Sequence, residues 1–237
     1  MEHTEKTHGL EIMIDIVTIN LNNREGLERT MNSVLSQTFF HKINYIIIDG
    51  GSTDGSKDVI EKISDKLHYW CSEPDKGIFN AMNKGVDHLA GDHVLFLNSG
   101  DYLHSDTTIE EIYDQLDCDI VYGNQITFHN TDAIVSYVSN NAVTRYPDRL
   151  DEGFFRRSAL PHQSTFIRTS LQKQHKYDES CKIAGDWKMT REAIIDDGAS
   201  YKHIPMVVSH YNLDGISSRQ QKLFQKEKME YYAKLQK

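Results

Sequence analysis

Asn44-Tyr-Ile-Ile-Ile-Asp-Gly-Gly-Ser-Thr-Asp-Gly55 is an apolar strand that runs straight into a glycine-rich turn. Its apolar run, through Ile48, shows no polar alternation, so the strand is buried on both faces. The flanking segments repeat this pattern. Ile14–Ile19 reads as a second buried strand, after which Asn22 or Asn23 caps a helix carrying Leu27, Met31, Val34 and Leu35 on one face. Past the glycine turn come a helix with Val59, Ile60 and Ile63, a short strand near Leu67–Cys71, and a helix with Ile78, Met82, Val86 and Leu89. His93–Leu97 is the next apolar strand. Buried strands alternating with amphipathic helices predict an α/β fold with a mostly parallel sheet covered on both faces. Ligands bind such sheets beyond the carboxyl ends of the strands, where Asp49 and Asp101 stand.

The second half reads differently. Asp119–Tyr122 is predicted as one more strand, and Gln125–Phe128 with Ile134–Val138 as an antiparallel hairpin around Asn130-Thr-Asp132. Residues 140–160 read as a polar loop with Arg145, Arg149, Arg156 and Arg157; a helix follows over Asp186–Ile195, and Ser217–Lys237 forms a last helix.

Composition excludes several classes. A net charge of −9 argues against general nucleic-acid binding, which wants a basic face. Three scattered cysteines, Cys71, Cys118 and Cys181, fit neither a zinc site nor a disulfide framework, and suit a reducing compartment. No segment has the apolar length of a membrane span, and the first residues lack a signal-peptide core. The expectation is a cytoplasmic or peripheral protein.

Asp49–Gly55 matches no common glycine motif. It lacks dinucleotide-site spacing, a P-loop lysine, the acidic ligands of an EF-hand and a serine at Thr53 for a nucleophile elbow. Two readings remain: a plain strand-to-helix turn, or an Asp49 whose carboxylate meets the edge of a base.

Taken together with Val17-Thr-Ile-Asn-Leu-Asn22, Glu73-Pro-Asp-Lys-Gly-Ile-Phe-Asn-Ala-Met-Asn-Lys84 and Phe96-Leu-Asn-Ser-Gly-Asp101, this turn resembles the successive blocks of family 2 glycosyltransferases. Pro161–Phe166, Tyr177-Asp-Glu179 and Ala184-Gly-Asp-Trp187 are similar to that family's acceptor-side half, and the likeness runs from about residue 14 to 216. It implies a GT-A fold, a nucleotide-diphosphate sugar donor with UDP-sugars favoured, a divalent metal (Mn²⁺ or Mg²⁺), inversion at the anomeric carbon, and hexosyl or N-acetylhexosaminyl transfer onto a glycan or lipid-linked acceptor. A donor half over 14–123, an acceptor-side half over 124–216 and a C-terminal helix over 217–237 would then form effectively one domain. Donor contacts fall on Thr18, Asn20, Asn22, Arg24, Asp49, Gly50, Ser52, Lys76, Gly77, Asn80, Asn83, Asn98 and Ser99, with His162 and Gln163 lining the sugar or acceptor pocket and Arg156 and Arg157 nearby for a phosphate.

Many relatives carry Asp-x-Asp-Asp where this chain has Asn98-Ser-Gly-Asp101, which leaves Asp101 as the one acid of the turn. One carboxylate is sufficient for Mg²⁺ when diphosphate and water supply the other ligands. Late histidines close the metal site in some enzymes of this fold, which makes His210 the candidate second ligand. Asp186 matches the family's general base; the competing role is a helix cap. The C-terminal segment holds six basic residues against Glu227 and Glu230, with Phe224, Tyr231 and Leu235 at helical spacing, which predicts a basic amphipathic helix resting on an anionic membrane. Two other functions compete: a nucleotide-sugar-binding protein without turnover, and a nucleotidyltransferase. Asn20-Leu-Asn-Asn-Arg-Glu25 lacks the basic glycine-rich signature that the second requires.

Overall fold

The computed structural model describes residues 12–129, 143–215 and 219–235. In chain order the elements are β1 (Ile14–Asn20), α1 (Arg24–Leu35), β2 (Ile43–Asp49), α2 (Ser56–Glu61), β3 (Tyr69–Ser72), α3 (Ile78–Asp87), β4 (His93–Phe96) and β5 (Tyr102–Leu103). They continue with α4 (Thr108–Tyr113), β6 (Ile120–Phe128), β7 (Val143–Thr144), α5 (Glu152–Arg157), β8 (Thr165–Arg168), α6 (Thr169–Gln174), α7 (Gly185–Arg191), β9 (Tyr201–Asn212) and α8 (Gln221–Leu235).

One sheet joins all the strands in the order β3-β2-β1-β4-β8-β6-β9-β5, with β7 on β6. The first four are parallel, as the apolar runs predict. The second half departs from a mostly parallel sheet, because β8 runs antiparallel to both β4 and β6, and β5 antiparallel to β9. Both faces are covered. Leu27, Met31, Val34, Val59, Ile60, Ile109 and Ile112 of α1, α2 and α4 pack on one face. Phe79, Met82, Val86, Phe155, Trp187 and Met189 of α3, α5 and α7 pack on the other. Ile46, Ile47 and Ile48 of β2 are fully buried between these layers, and each contributes about 1.5–3 kcal/mol of apolar transfer.

Several expectations change in detail. β6 is a single strand across residues 120–128 rather than two segments, with a register shift against β9 at Asn124. It therefore crosses the expected boundary at 123/124. The second hairpin strand, Ile134–Val138, lies outside the described residues. The expected polar loop holds β7 and α5, and α7 continues as a π-turn over Glu192–Asp196. Among the described residues no helix is long and apolar enough to cross a membrane.

The C-terminal helix forms, but its stripe is not free. Tyr231 and Tyr232 meet the Trp187 ring edge-on at 5.3 and 5.6 Å, and Phe224 packs on the same core. Lys228 is buried beneath them, its ammonium 5.0 Å from the Trp187 and Phe224 ring centres. Phe224 and Tyr231 of the stripe are thus covered by the body of the protein, while Leu235 stays exposed.

Candidate active site

The carboxyl ends of β1 and β4 open into a cavity of about 420 Å³ lined by Asn20, Leu21, Asn23, Asp75, Gly77, Ile78, Asn98, Ser99, Asp101 and His162, and closed by Tyr211, Asn212, Asp214 and Gly215 at the end of β9. A second cavity of about 280 Å³ is lined by Gln125, Tyr146, Arg157, Gln163, Asp186 and, from α8, Gln221, Phe224 and Gln225. His162 and Tyr211 line both.

Sheet register explains why His162 stands at this junction. β4 and β8 pair antiparallel with Leu95 opposite Phe166, so the turn leaving β4 faces the turn entering β8. His162 Nε2 lies 3.0 Å from the Asn98 amide nitrogen, and Nδ1 lies 3.1 Å from Asp186 Oδ2. With the amide donating to Nε2, the imidazole proton sits on Nδ1 and is donated to Asp186. A carboxylate at position 98 would instead demand a second imidazole N–H. In the neutral form of the ring, the asparagine thus suits the Nδ1–H tautomer that Asp186 orients. Burial lowers the His162 pKa, but the hydrogen bond and charge of Asp186, with the charge of Asp101, outweigh it and raise it. The other Asp186 oxygen accepts the Trp187 N–H at 2.7 Å, so the carboxylate is held on both sides. Gly185 makes this close: a Cβ there would sit 2.7 Å from the Phe79 ring.

Gly100 has φ of 108°, and a Cβ there would lie 3.1 Å from the Asn212 amide. An acid at this position would be strained and crowded, which accounts for the single carboxylate of the turn. Asp101 is 5% exposed and accepts the Asn212 N–H at 2.8 Å. Burial pushes its carboxyl up to about 7, against the opposing effects of His162 and Asn212.

Oxygen donors for a cation are present in the first cavity. Asp101, Asp75 and Asp214 line it, as does Asn98, whose buried Oδ1 has no protein partner. Among the described residues no three His, Cys, Asp or Glu side chains converge, so diphosphate and water oxygens would have to complete a shell, as suits Mg²⁺ or Mn²⁺. His210, the expected second ligand, is elsewhere. β9 pairs it with Tyr102 of β5, its ring stacks on Tyr102 at 4.4 Å, and its Nε2 lies 3.0 Å from His104 Nδ1. Its neighbours Tyr211 and Asn212 line the cavity instead.

Of the other expected donor contacts, Asn20, Gly77, Asn98, Ser99 and His162 line the first cavity and Gln163 the second. The rest line neither cavity. Asp49 is fully buried, and each oxygen already accepts two hydrogen bonds: Asn20 Nδ2 (2.8 Å) and Ser52 Oγ (2.5 Å) on Oδ1, Ser52 N (2.9 Å) and Ser72 Oγ (2.6 Å) on Oδ2. No lone pair remains for a base edge. The open acceptor at this spot is Asn20 Oδ1, buried without a partner beside the cavity. Thr18 donates to Leu97 O inside the sheet, Asn22 accepts from Thr53 N, and Arg24 pairs with Glu28. Asn80 and Asn83 grip Glu179, and Asn83 also exchanges two bonds with the Tyr177 backbone. Ser52 stays with Asp49, Lys76 is exposed, and a Cβ on Gly50 would meet Asp75 Oδ2 at 2.5 Å.

The family model for glycosyl transferase family 2 matches residues 15–198. A Mycobacterium tuberculosis protein named an uncharacterized glycosyltransferase is 29% identical over 210 residues, 88% of this chain and 78% of the relative. The PGL/p-HBAD biosynthesis glycosyltransferase of Mycobacterium bovis is 26% identical over 215 residues, 87% and 79% of the two chains. The putative teichuronic acid biosynthesis glycosyltransferase of Bacillus subtilis is 36% identical over 92 residues, 38% of this chain and 36% of that one. Among solved structures, residues 1–349 of Staphylococcus aureus TarS in complex with UDP-GlcNAc superpose with a TM-score of 0.67 at 18% identity, over 85% of this chain and 58% of that one. Whole TarS is matched over 37% of its chain. A mannosyltransferase of Pyrobaculum calidifontis in complex with GDP-Man and Mn²⁺ gives 0.62 at 13% identity, over 85% and 57%. These likenesses identify the GT-A fold.

Proposed function

The chain belongs to glycosyl transferase family 2, and from that premise we propose an inverting enzyme that moves a hexosyl or N-acetylhexosaminyl group from a UDP-sugar to an acceptor hydroxyl on a surface glycan, built on a lipid carrier. The observation that carries this reading is the pair of cavities meeting at His162, with Asp186 hydrogen-bonded to it on the second side. A donor in the first cavity would present its anomeric carbon to an acceptor hydroxyl in the second. Residues 14–123 then supply most of the donor cavity, which His162 and the end of β9 complete, and 124–216 with α8 form the acceptor cavity. Relatives named for PGL/p-HBAD and teichuronic acid biosynthesis support a glycan product.

Asp186 is the general base. Its bonds to His162 and to Trp187 N–H fix the carboxylate while lone pairs face the second cavity, and it takes the hydroxyl proton as oxygen attacks. His162, donating through Nδ1, keeps that carboxylate aimed. Asn20 Oδ1 is the acceptor available to a base N–H, such as that of uracil. A divalent cation would be held by Asp101 and would neutralise the departing diphosphate. Its ligands would all be oxygens, since His210 lies against His104. Contact with an anionic membrane belongs to the outer face of α8, where Lys222, Lys226 and Met229 (66% exposed) stand clear of the core.

A thermal-shift panel of UDP-, GDP- and dTDP-sugars with Mn²⁺ tests the donor class. A UDP-sugar should stabilise the wild type most, and Asp101→Ala should abolish the metal-dependent part of that shift. Equal, metal-independent responses to all three would contradict the assignment.

A further inference from the structure

The second cavity has a wall that the family match does not include. Residues 15–198 match the family model, whereas Gln221, Phe224 and Gln225 of α8 line the cavity that contains Asp186. The same helix reaches the backbone just ahead of Asp186. Glu227 Oε1 accepts the Lys182 N–H at 2.7 Å, and its Oε2 accepts those of Ile183 and Ala184 at 3.1 and 2.9 Å. One carboxylate thus gathers three consecutive amides in the turn that leads into α7.

No other hydrogen bond described for these three amides competes with Glu227. The helix is pinned just beyond Glu227: Lys228 lies over Trp187 and donates to Ser158 O, and Tyr231 closes on Trp187, the residue after Asp186. Arg156 stacks 4.1 Å above Tyr232, which ties α5 to the same helix. A charged acceptor holding three backbone donors is a stiff fixture, because charge-assisted bonds are shorter and stronger than neutral ones.

We propose that Glu227 is a positioning residue for the transfer reaction: it latches the 182–184 turn so that Asp186 faces the acceptor cavity, and α8 is thereby a working wall of the acceptor site. The proposal rests on the reading of Asp186 as the base. Loss of the latch leaves donor binding intact, since the first cavity takes nothing from α8. Freed by even 1 Å, the carboxylate loses its alignment with the attacking hydroxyl, which is worth about 10²-fold in rate.

The test uses the full chain as wild type, Glu227→Ala and Glu227→Gln, the last keeping the length and one accepting oxygen. The first measurement is amide hydrogen exchange across residues 182–188. The second is UDP release from UDP-GlcNAc with water as acceptor, giving kcat and KM, beside UDP affinity by calorimetry. Glu227→Ala should exchange faster over 182–184 and lose roughly 10–10²-fold in kcat, with KM and UDP affinity unchanged, and Glu227→Gln should recover part of both losses. Unchanged exchange in Glu227→Ala overturns the latch, and unchanged kcat with faster exchange overturns its part in the reaction. A loss of UDP affinity equal to the loss of kcat also overturns it, as general destabilisation. A wild type that binds UDP but releases none from UDP-GlcNAc counts against the proposed function, and the exchange result then decides the latch.

Discussion

Replacing Asp49 by alanine should cost about 3–4.5 kcal/mol of folding stability. The figure follows from the four bonds at that carboxylate. Asn20 Nδ2 keeps a second acceptor, Ser52 Oγ at 3.2 Å, but Ser52 N, Ser52 Oγ and Ser72 Oγ are each left without their only described acceptor. Stranding a partly buried donor costs about 1–1.5 kcal/mol once water has access, and three of them give the total. Asp49→Asn should cost about half as much, because its amide nitrogen faces donors on one side and only the serine hydroxyls can turn to accept. The effect has a pH signature. Burial alone would raise the Asp49 carboxyl, but its serine and asparagine donors hold it below the ordinary carboxylate value. A depressed pKa contributes stability that is present above the unfolded value and lost as pH falls through the folded one. Urea unfolding at pH 7 and again below pH 4 measures both. The gap between wild type and Asp49→Ala should be large at neutral pH and shrink on acidification. A gap under about 1 kcal/mol at pH 7, or one independent of pH, would refute the reasoning and return Asp49 to the role of base ligand.

Asp101→Asn should stabilise the metal-free protein above pH 7 and make little difference near pH 4, read by denaturant unfolding across pH. With the folded carboxyl near 7, native protein holds a proton that the unfolded chain has lost, so wild-type stability falls with rising pH up to that value and then levels. Lys228→Met should be neutral or stabilising at pH 7, despite the lost bond to Ser158 O. Burial holds the ammonium down to about 8, so the wild type gains stability as pH rises from about 8 to the unfolded lysine value while the variant, followed by thermal unfolding, stays flat.

The parallel half of the sheet was legible because Ile46–Ile48 and Val94–Leu97 are apolar without alternation, a local signal that burial on two faces imposes. The position of Asp101 and Asn98 at a strand tip followed from the same runs. The bridge from Asn98 through His162 to Asp186 was not legible, because it depends on β8 pairing antiparallel with β4 across about 70 residues of chain. Nothing local marks that register. Polar residues in turns look alike whether they face a ligand or another loop, so Thr18, Asn80 and Asn83 read as ligand contacts in the sequence; in the structure they hold β4 and the Tyr177–Glu179 segment. Tyr211 and Asn212 were missed because the long strand β9 carries no motif and lines the cavity only through its pairing with β5 and β6. Helical spacing in α8 marked an apolar face correctly, but a spacing cannot say whether lipid or Trp187 covers it.

Asp186 is the residue on which sugar transfer turns. Turnover of a UDP-sugar, measured as UDP release beside UDP affinity in wild type and Asp186→Asn, separates its two roles. The structure places the N-cap of α7 at Ala184 and Asp186 inside the first turn, so the expected cap role is replaced by that of a structural acid bonded to His162 and the Trp187 N–H. The amide keeps the shape of that acid but cannot take a proton. As the base, Asp186→Asn should lose roughly 10²–10⁴-fold in kcat with UDP affinity unchanged; near-normal turnover would contradict the account and leave Asp186 as a structural residue of the first turn of α7.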